Sequence, residues 1–226
     1  MRNVTLGLAG AIGHDPAAAI FVEGELVAAV EEERLIRRKH AKNEMPFLAA
    51  MQCLKIAGLR SSEVTHIATP YAPVSLFSKA RWHYAYRHWY APDRSIDSLL
   101  NGNRRYRRHV KDLRALVEKL HISSLTTQLV PVEHQLAHAS SVYHLAGGDE
   151  KTAIFCNDSK GEYANIFLGY GHKGKIVKIK QFYSPDSLCG LYSALTDYLG
   201  FETLDGELKV MGLAAYGDAQ KYDLSS

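Results

Sequence analysis

The sequence predicts an α/β fold made of two related lobes, on three observations. A strand–turn–strand–hairpin–strand pattern opens the chain, a second three-stranded meander occupies 152–182, and amphipathic helical stretches separate them. Each meander is joined to a small-residue turn that bears an aspartate, Asp15 and Asp158. The offset of roughly 145 residues reads as an internal duplication, weak in sequence but consistent in layout.

The first strand runs through the loosely alternating residues 3–12 and leads into Gly13-His14-Asp15-Pro16. In this turn backbone N–H groups can approach a phosphate or carbonyl, and His14 can serve as acid or base. A turn hydrogen bond from Asp15 ahead of Pro16 explains the same residues equally well. Glu23-Gly24-Glu25 is a hairpin turn between apolar runs. Glu31-Glu-Glu-Arg34 to Lys39-His40 places acids before bases, a helix with a solvated surface. Pro46 opens an amphipathic helix whose stripe of Phe47, Leu48, Met51, Cys53 and Leu54 reads as core, and Gly58 ends it. Val64–Ala68 is a short strand and Pro70 to Pro73 a loop.

Residues 76–120 read as a helical insertion in which Trp82, Tyr84, Tyr86, Trp89 and Tyr90 alternate with His and Arg. Residues 79–119 hold 11 Lys+Arg against 4 Asp+Glu, so they carry the positive charge of a chain whose net is only +3. Aromatics among bases can stack and pair with RNA. The small net charge and the lack of an RNP or KH signature argue instead for a solvated face or an acidic partner.

After a short strand at 129–132 comes His134-Gln-Leu-Ala-His138. The spacing of Leu136, Ala137, Val142 and Leu145 predicts a helix over 133–145, with both imidazoles on one face. The run Thr152–Cys156 reads as a buried strand with Asp158 at its tip, so two His and a carboxylate can converge on one ion, iron or zinc by donor type. The competing explanation is chance, because the chain has 11 His and many pairs four apart merely face solvent. Strands at 164–170 and 175–182 complete the meander, 188–199 suits a helix, and 206–217 is punctuated by glycine. Cys53, Cys156 and Cys189 lack CxxC spacing and sit among apolar residues, which predicts buried free thiols and a cytoplasmic setting. No signal-peptide pattern or membrane-spanning run is expected.

Two lobes that each offer a strand-turn to a nucleotide's phosphates make the layout of an actin-like ATPase fold. The sequence resembles the N-terminal part of the NodU/CmcH-type O-carbamoyltransferases. The matching stretches are Gly13-His14-Asp15-Pro-Ala-Ala-Ala, Glu31-Glu-Glu-Arg34 to Lys39-His40, His134 to Ser141, Asp158-Ser-Lys-Gly161-Glu162, Leu191-Tyr-Ser-Ala-Leu-Thr with Gly200-Phe201, and Gly206-Glu207-Leu-Lys209-Val-Met-Gly212-Leu-Ala-Ala-Tyr-Gly217, in family order. Asp158-Ser-Lys departs from the family's commoner Asp-Gly turn.

The resemblance implies a Kae1-like (ASKHA) domain that binds carbamoyl adenylate, made from carbamoyl phosphate and ATP, and passes the carbamoyl group to a hydroxyl of a small-molecule acceptor. It implies a divalent metal, usually iron, on His134, His138 and Asp158. His14 and Asp15 match the group that activates the acceptor, Lys39 a basic residue near the carbamoyl group, and Gly161, Glu162, Glu207, Lys209 and Gly212 motifs lining the cofactor cleft. On this reading residues 1–150 form the first lobe, with the insertion at 76–120, and 151–226 an incomplete second one. The family's proteins are much longer, with a further metal-binding aspartate for which Asp218 and Asp223 are the only terminal candidates, and a YrdC-like domain. That predicts a fragment or split half. A non-catalytic metal- and nucleotide-binding remnant and a tRNA threonylcarbamoyl-transfer relative are the alternatives.

Overall fold

The computed structural model describes residues 2–10, 14–123, 125–147, 150–159, 161–218 and 221. Gly13, Lys160 and Asp223, named above in the two turns and at the terminus, lie outside them. Strands β1 (Val4–Ala9), β2 (Ala17–Val22), β3 (Glu25–Glu31), β4 (His66–Thr69) and β5 (Gln128–Pro131) form one sheet in the order β3-β2-β1-β4-β5. The first three pair antiparallel, β4 pairs parallel with β1, and β5 pairs parallel with β4. β1 and β2 alternate strictly between buried and half-buried positions, with Leu6 and Ile20 fully buried. The β2–β3 hairpin turns on Glu23 (φ 54°) and Gly24 (φ 88°), both left-handed as a two-residue hairpin requires.

Helix α1 (Glu32–Ile36) follows β3, and α2 (Phe47–Ala57) packs on β2 and β3 before Gly58 ends it in the left-handed conformation, donating its N–H to the carbonyls of Leu54 and Lys55. Two expectations here need correction. The buried face of α2 is Ala49, Ala50, Cys53 and Leu54, while Leu48 and Met51 are exposed, because the sheet admits small residues at closest approach and the larger ones turn outward. The acids of 31–33 are not all a solvated surface either: Glu32 is 3% exposed, and its carboxylate accepts the N–H groups of Leu48 (3.1 Å) and Ala49 (2.7 Å). It thereby satisfies the open amides and positive dipole end of α2, which begins with no cap of its own.

Between β4 and β5 come α3 (Lys79–Arg87), α4 (Pro92–Asn101) and α5 (Arg104–Lys119). Parallel neighbours need a crossover, and α5 supplies it: Leu113 and Leu116, with Leu120 and Ile122 just beyond, join Leu6, Leu8, Ile67 and Leu54 in the main core. Its bases Arg104, Arg105, Arg107, Arg108, Lys111 and Arg114 occupy the opposite, exposed side. The basic helix is therefore integral to the sheet's packing. Leu113→Ala is expected to lower the unfolding free energy by about 2–5 kcal/mol, measured by urea denaturation, whereas a peripheral insertion would lose well under 1 kcal/mol.

A second, antiparallel sheet contains β6 (Thr152–Asn157), β7 (Ala164–His172) and β8 (Lys175–Tyr183) in that order. Helix α6 (His134–Tyr143) lies against β6 and β7. It buries Gln135, Ala139 and Tyr143, spaced by four, and leaves Val142 and Leu145 exposed, so the helix is as expected but its apolar face is not. Tyr143 sets the register: a Cβ at Gly171 would come within 2.2 Å of its ring. Helices α7 (Leu188–Tyr198) and α8 (Glu207–Leu213) follow. All three cysteines are free; Cys53 is buried, but Cys156, on the edge strand β6, and Cys189, near the start of α7, are only partly so. No described helix is long and apolar enough to cross a membrane.

Candidate metal centre and acid–base cluster

His134 is the first residue of α6, His138 lies one turn on, and Asp158 immediately follows β6. These elements bring the three side chains together. His134 Nε2 stands 2.9 Å from Asp158 Oδ2 and 3.1 Å from His138 Nε2, and His138 Nε2 is 3.6 Å from the same carboxylate oxygen. Three donor atoms mutually within 4.8 Å are spaced to hold one cation. Burial by itself would raise the Asp158 carboxyl, but hydrogen bonding to His134 and His138 prevails and holds it well below the usual carboxylate range.

The surroundings orient His134. Its Nδ1 is 3.1 Å from the carbonyl of Pro70, just past the end of β4, and donates there, which aims Nε2 at Asp158 and His138. Without an ion Nε2 donates its proton to the ionised Asp158, and only loss of that proton exposes the lone pair a cation needs. Tyr71 stacks on the ring, centroids 5.1 Å apart and planes at 10°, which restrains the ring's tilt. The carboxylate of Glu162 accepts the backbone N–H of His134 (3.2 and 3.3 Å) and of Ala72 (2.8 Å). Burial raises the Glu162 carboxyl despite those amides. Its oxygens accept the backbone N–H at the start of α6, so Glu162 anchors the helix that carries His134 and His138. Gly161 is a close-approach position: a Cβ would lie 2.6 Å from the Ala164 carbonyl and 3.4 Å from His134 Cβ.

The second cluster forms where the turn before β2 meets the segment after α1. His14 Nδ1 lies 2.6 Å from Asp15 Oδ2, and the other oxygen of Asp15 lies 2.9 Å from His40 Nδ1. His40 Nε2 is 3.2 Å from Asp205 Oδ1, which also pairs with the Lys39 ammonium. Burial raises the Asp15 carboxyl, but hydrogen bonds from the two histidines outweigh it and the net shift is downward. An ionised Asp15 only accepts, so His14 donates to it through Nδ1.

The remaining expected residues are spread along α8. Glu207 Oε1 accepts from the Ser193 hydroxyl at 2.9 Å, Lys209 lies over the Phe201 ring, and a Cβ at Gly212 would meet nothing within 4 Å. Tyr71 and Asp205 were not singled out in the sequence, and Glu33 and His40 only as part of a matching stretch. Tyr71 carries no signal beyond its place after Pro70 at a strand end. Asp205, in an Asp-Gly step ahead of a glycine-rich motif, carries a weak one.

Residues 4–225 match the family model described as carbamoyltransferase N-terminus. An uncharacterized protein of Synechocystis is 34% identical over 93% of this chain and 34% of its own length, and nodulation protein NolNO of Sinorhizobium fredii is 32% identical over 95% of this chain and 29% of its own. The chain thus spans about a third of the length of the curated relatives it matches. Among solved structures, YeaZ from Pseudomonas aeruginosa aligns over 79% of this chain and 64% of its own at 14% identity, with a TM-score of 0.39.

Proposed function

The chain belongs to the carbamoyltransferase N-terminal family, and on that premise we propose that it forms the acceptor-activating, metal-binding part of an O-carbamoyltransferase. The carbamoyl group would come from carbamoyl adenylate, itself derived from carbamoyl phosphate and ATP, and go to the hydroxyl of a small molecule. The observation that carries this reading is the convergence of His134, His138 and Asp158, with His134 presented by the Pro70 carbonyl so that its Nε2 faces the other two donors. Two imidazoles and one carboxylate suit a first-row divalent ion, and Fe2+ is the ion we assign.

When bound there, such an ion supplies positive charge for the phosphate and for the carbonyl under attack. The chain's own residues do the rest. His14 Nε2 takes the proton of the acceptor hydroxyl as its oxygen bonds to the carbamoyl carbon, and the carbon–oxygen bond to the adenylate phosphate breaks, with AMP leaving. Asp15 holds His14 in the required tautomer and stabilises the imidazolium that results. Lys39 contributes a cation beside the reacting group, and the α8 motif with Glu207 and Lys209 lines the nucleotide side. Residues 1–150 act as the first lobe and 151–226 as part of the second. Exposed Phe155, Ile179 and Leu191 on β6, β8 and α7 support a second lobe completed by further sequence.

The test is metal content after anaerobic purification, together with calorimetric titration of ATP and of carbamoyl adenylate, for the wild type and His138→Ala. About one divalent ion per chain, lost in the variant along with nucleotide affinity, supports the reading. An ion-free wild type that binds neither nucleotide would leave a remnant that keeps the motifs without the site.

A further inference from the structure

The segment from Arg37 to Asn43 holds four non-glycine residues in left-handed backbone: Arg37 (φ 56°), His40 (φ 60°), Ala41 (φ 36°) and Asn43 (φ 65°). Such conformations persist only where surrounding contacts over-determine them, and they gather at functional sites. Here the contacts converge on His40. Its backbone N–H donates to Glu33 Oε2 at 2.7 Å, and its carbonyl accepts the Asp15 N–H at 2.8 Å. Nδ1 meets Asp15 and Nε2 meets Asp205, two carboxylates 190 residues apart in sequence by their numbering. The next residue, Ala41, is fully buried, and Lys42 pairs with Glu202 in the segment that carries Asp205.

We propose that His40 is a positioning residue of the transfer site, a charged bridge that holds Asp15 against His14 from one side and ties the Lys39 turn to Asp205 on the other. This rests on the reading of His14 as the base. A neutral imidazole has one donor and one acceptor, so it satisfies only one carboxylate; facing two, His40 must donate from both nitrogens. Its side chain is 16% exposed, against 43% for His14, which fits a fixed bridge beside an accessible base. The hydrogen bonds to Asp15 and Asp205 raise His40 above its ordinary value, in the direction the geometry requires. The charged and titratable groups facing it are His14, Asp15, Glu33, Lys39 and Asp205. The chain His14–Asp15–His40–Asp205–Lys39 joins the three catalytic candidates His14, Asp15 and Lys39 to the residue before Gly206, the N-cap of α8. Contact between the two parts of the molecule is thereby coupled to the orientation of the base.

The test reads tautomers, so it is independent of turnover. In imidazole-nitrogen NMR of the 15N-labelled chain at pH 7, His40 is expected to be doubly protonated and His14 to be the Nδ1–H form. In folded His40→Gln, checked by circular dichroism, His14 is expected to pass mostly to the Nε2–H form that free imidazoles favour, and Asp205→Asn is expected to remove the double protonation of His40. An unchanged His14 tautomer in folded His40→Gln, or a neutral wild-type His40, overturns the proposal. If His40→Gln does not fold, Asp205→Asn decides by the same spectra: His40 still doubly protonated there would show that Asp205 is no part of the bridge. In a carbamoyl-transfer assay on wild type and His40→Gln, kcat should fall on the order of tenfold with acceptor KM unchanged. A wild type without turnover but with the expected tautomers would retire the transfer reading and leave the bridge standing.

Discussion

Asp158→Asn is expected to abolish stoichiometric binding of a divalent ion, with affinity reduced by more than about 100-fold relative to wild type. The substitution keeps the shape and the hydrogen bond to the Ser159 N–H, 2.6 Å from Oδ1 in the wild type, but removes the only anionic donor of the set. Two neutral imidazoles, one of them half-exposed, then bind an ion through nitrogen alone. The carboxylate is also the group on which the other two depend for position, because both Nε2 atoms lie within 3.6 Å of its Oδ2. Anaerobic calorimetric titration with Fe2+, repeated with Co2+ as a spectroscopic substitute, measures the change. Retention of wild-type affinity in Asp158→Asn would mean that ions bind elsewhere and that the His–His–Asp cluster is an ordinary hydrogen-bonded group.

Glu162→Ala should act on stability and on metal affinity together. Glu162 accepts the N–H groups of Ala72 and His134, so its removal leaves two partly buried amides without their partner and takes the anion from the positive end of α6. The expected loss of stability is about 1–3 kcal/mol, read from urea unfolding of the metal-free protein. The same carboxylate fixes the backbone of a ligand residue, so the variant should also bind the ion about 10–100-fold more weakly. Glu162→Gln keeps an acceptor oxygen and should fall between the two. If Glu162→Ala unfolds at the wild-type urea concentration and binds the ion as tightly, the anchoring role is wrong.

Legibility from sequence followed the range of each interaction. The i, i+4 spacing of His134 and His138, the aspartate at the end of a strand-like run and the turn at Glu23-Gly24 all depend on backbone geometry within a few residues, and all were readable. The apolar face of α6 was not: Leu136, Val142 and Leu145 look like a core stripe, but the second sheet accepts Gln135, Ala139 and Tyr143 instead. The reason is steric fit, since a residue's hydrophobicity does not say which face a close neighbour requires, and Gly171 makes room for the Tyr143 ring. Glu31 to Glu33 misled in the same way. A run of acids reads as solvated surface until α2 docks with its uncapped N-terminus against Glu32.

The family, the α/β class, the order of the elements and the three candidate ligands are written in local periodicity and in short motifs, so they can be read along the chain. How those residues are held emerges only on folding: the Pro70 carbonyl on His134, Glu162 at the start of α6, α5 as part of the core, and His40 between Asp15 and Asp205. Each of those contacts joins segments far apart in the chain. Their energy arises from groups that meet only after the loops have closed and the sheets have packed, and no spacing along a single strand or helix encodes which distant partner a side chain will find.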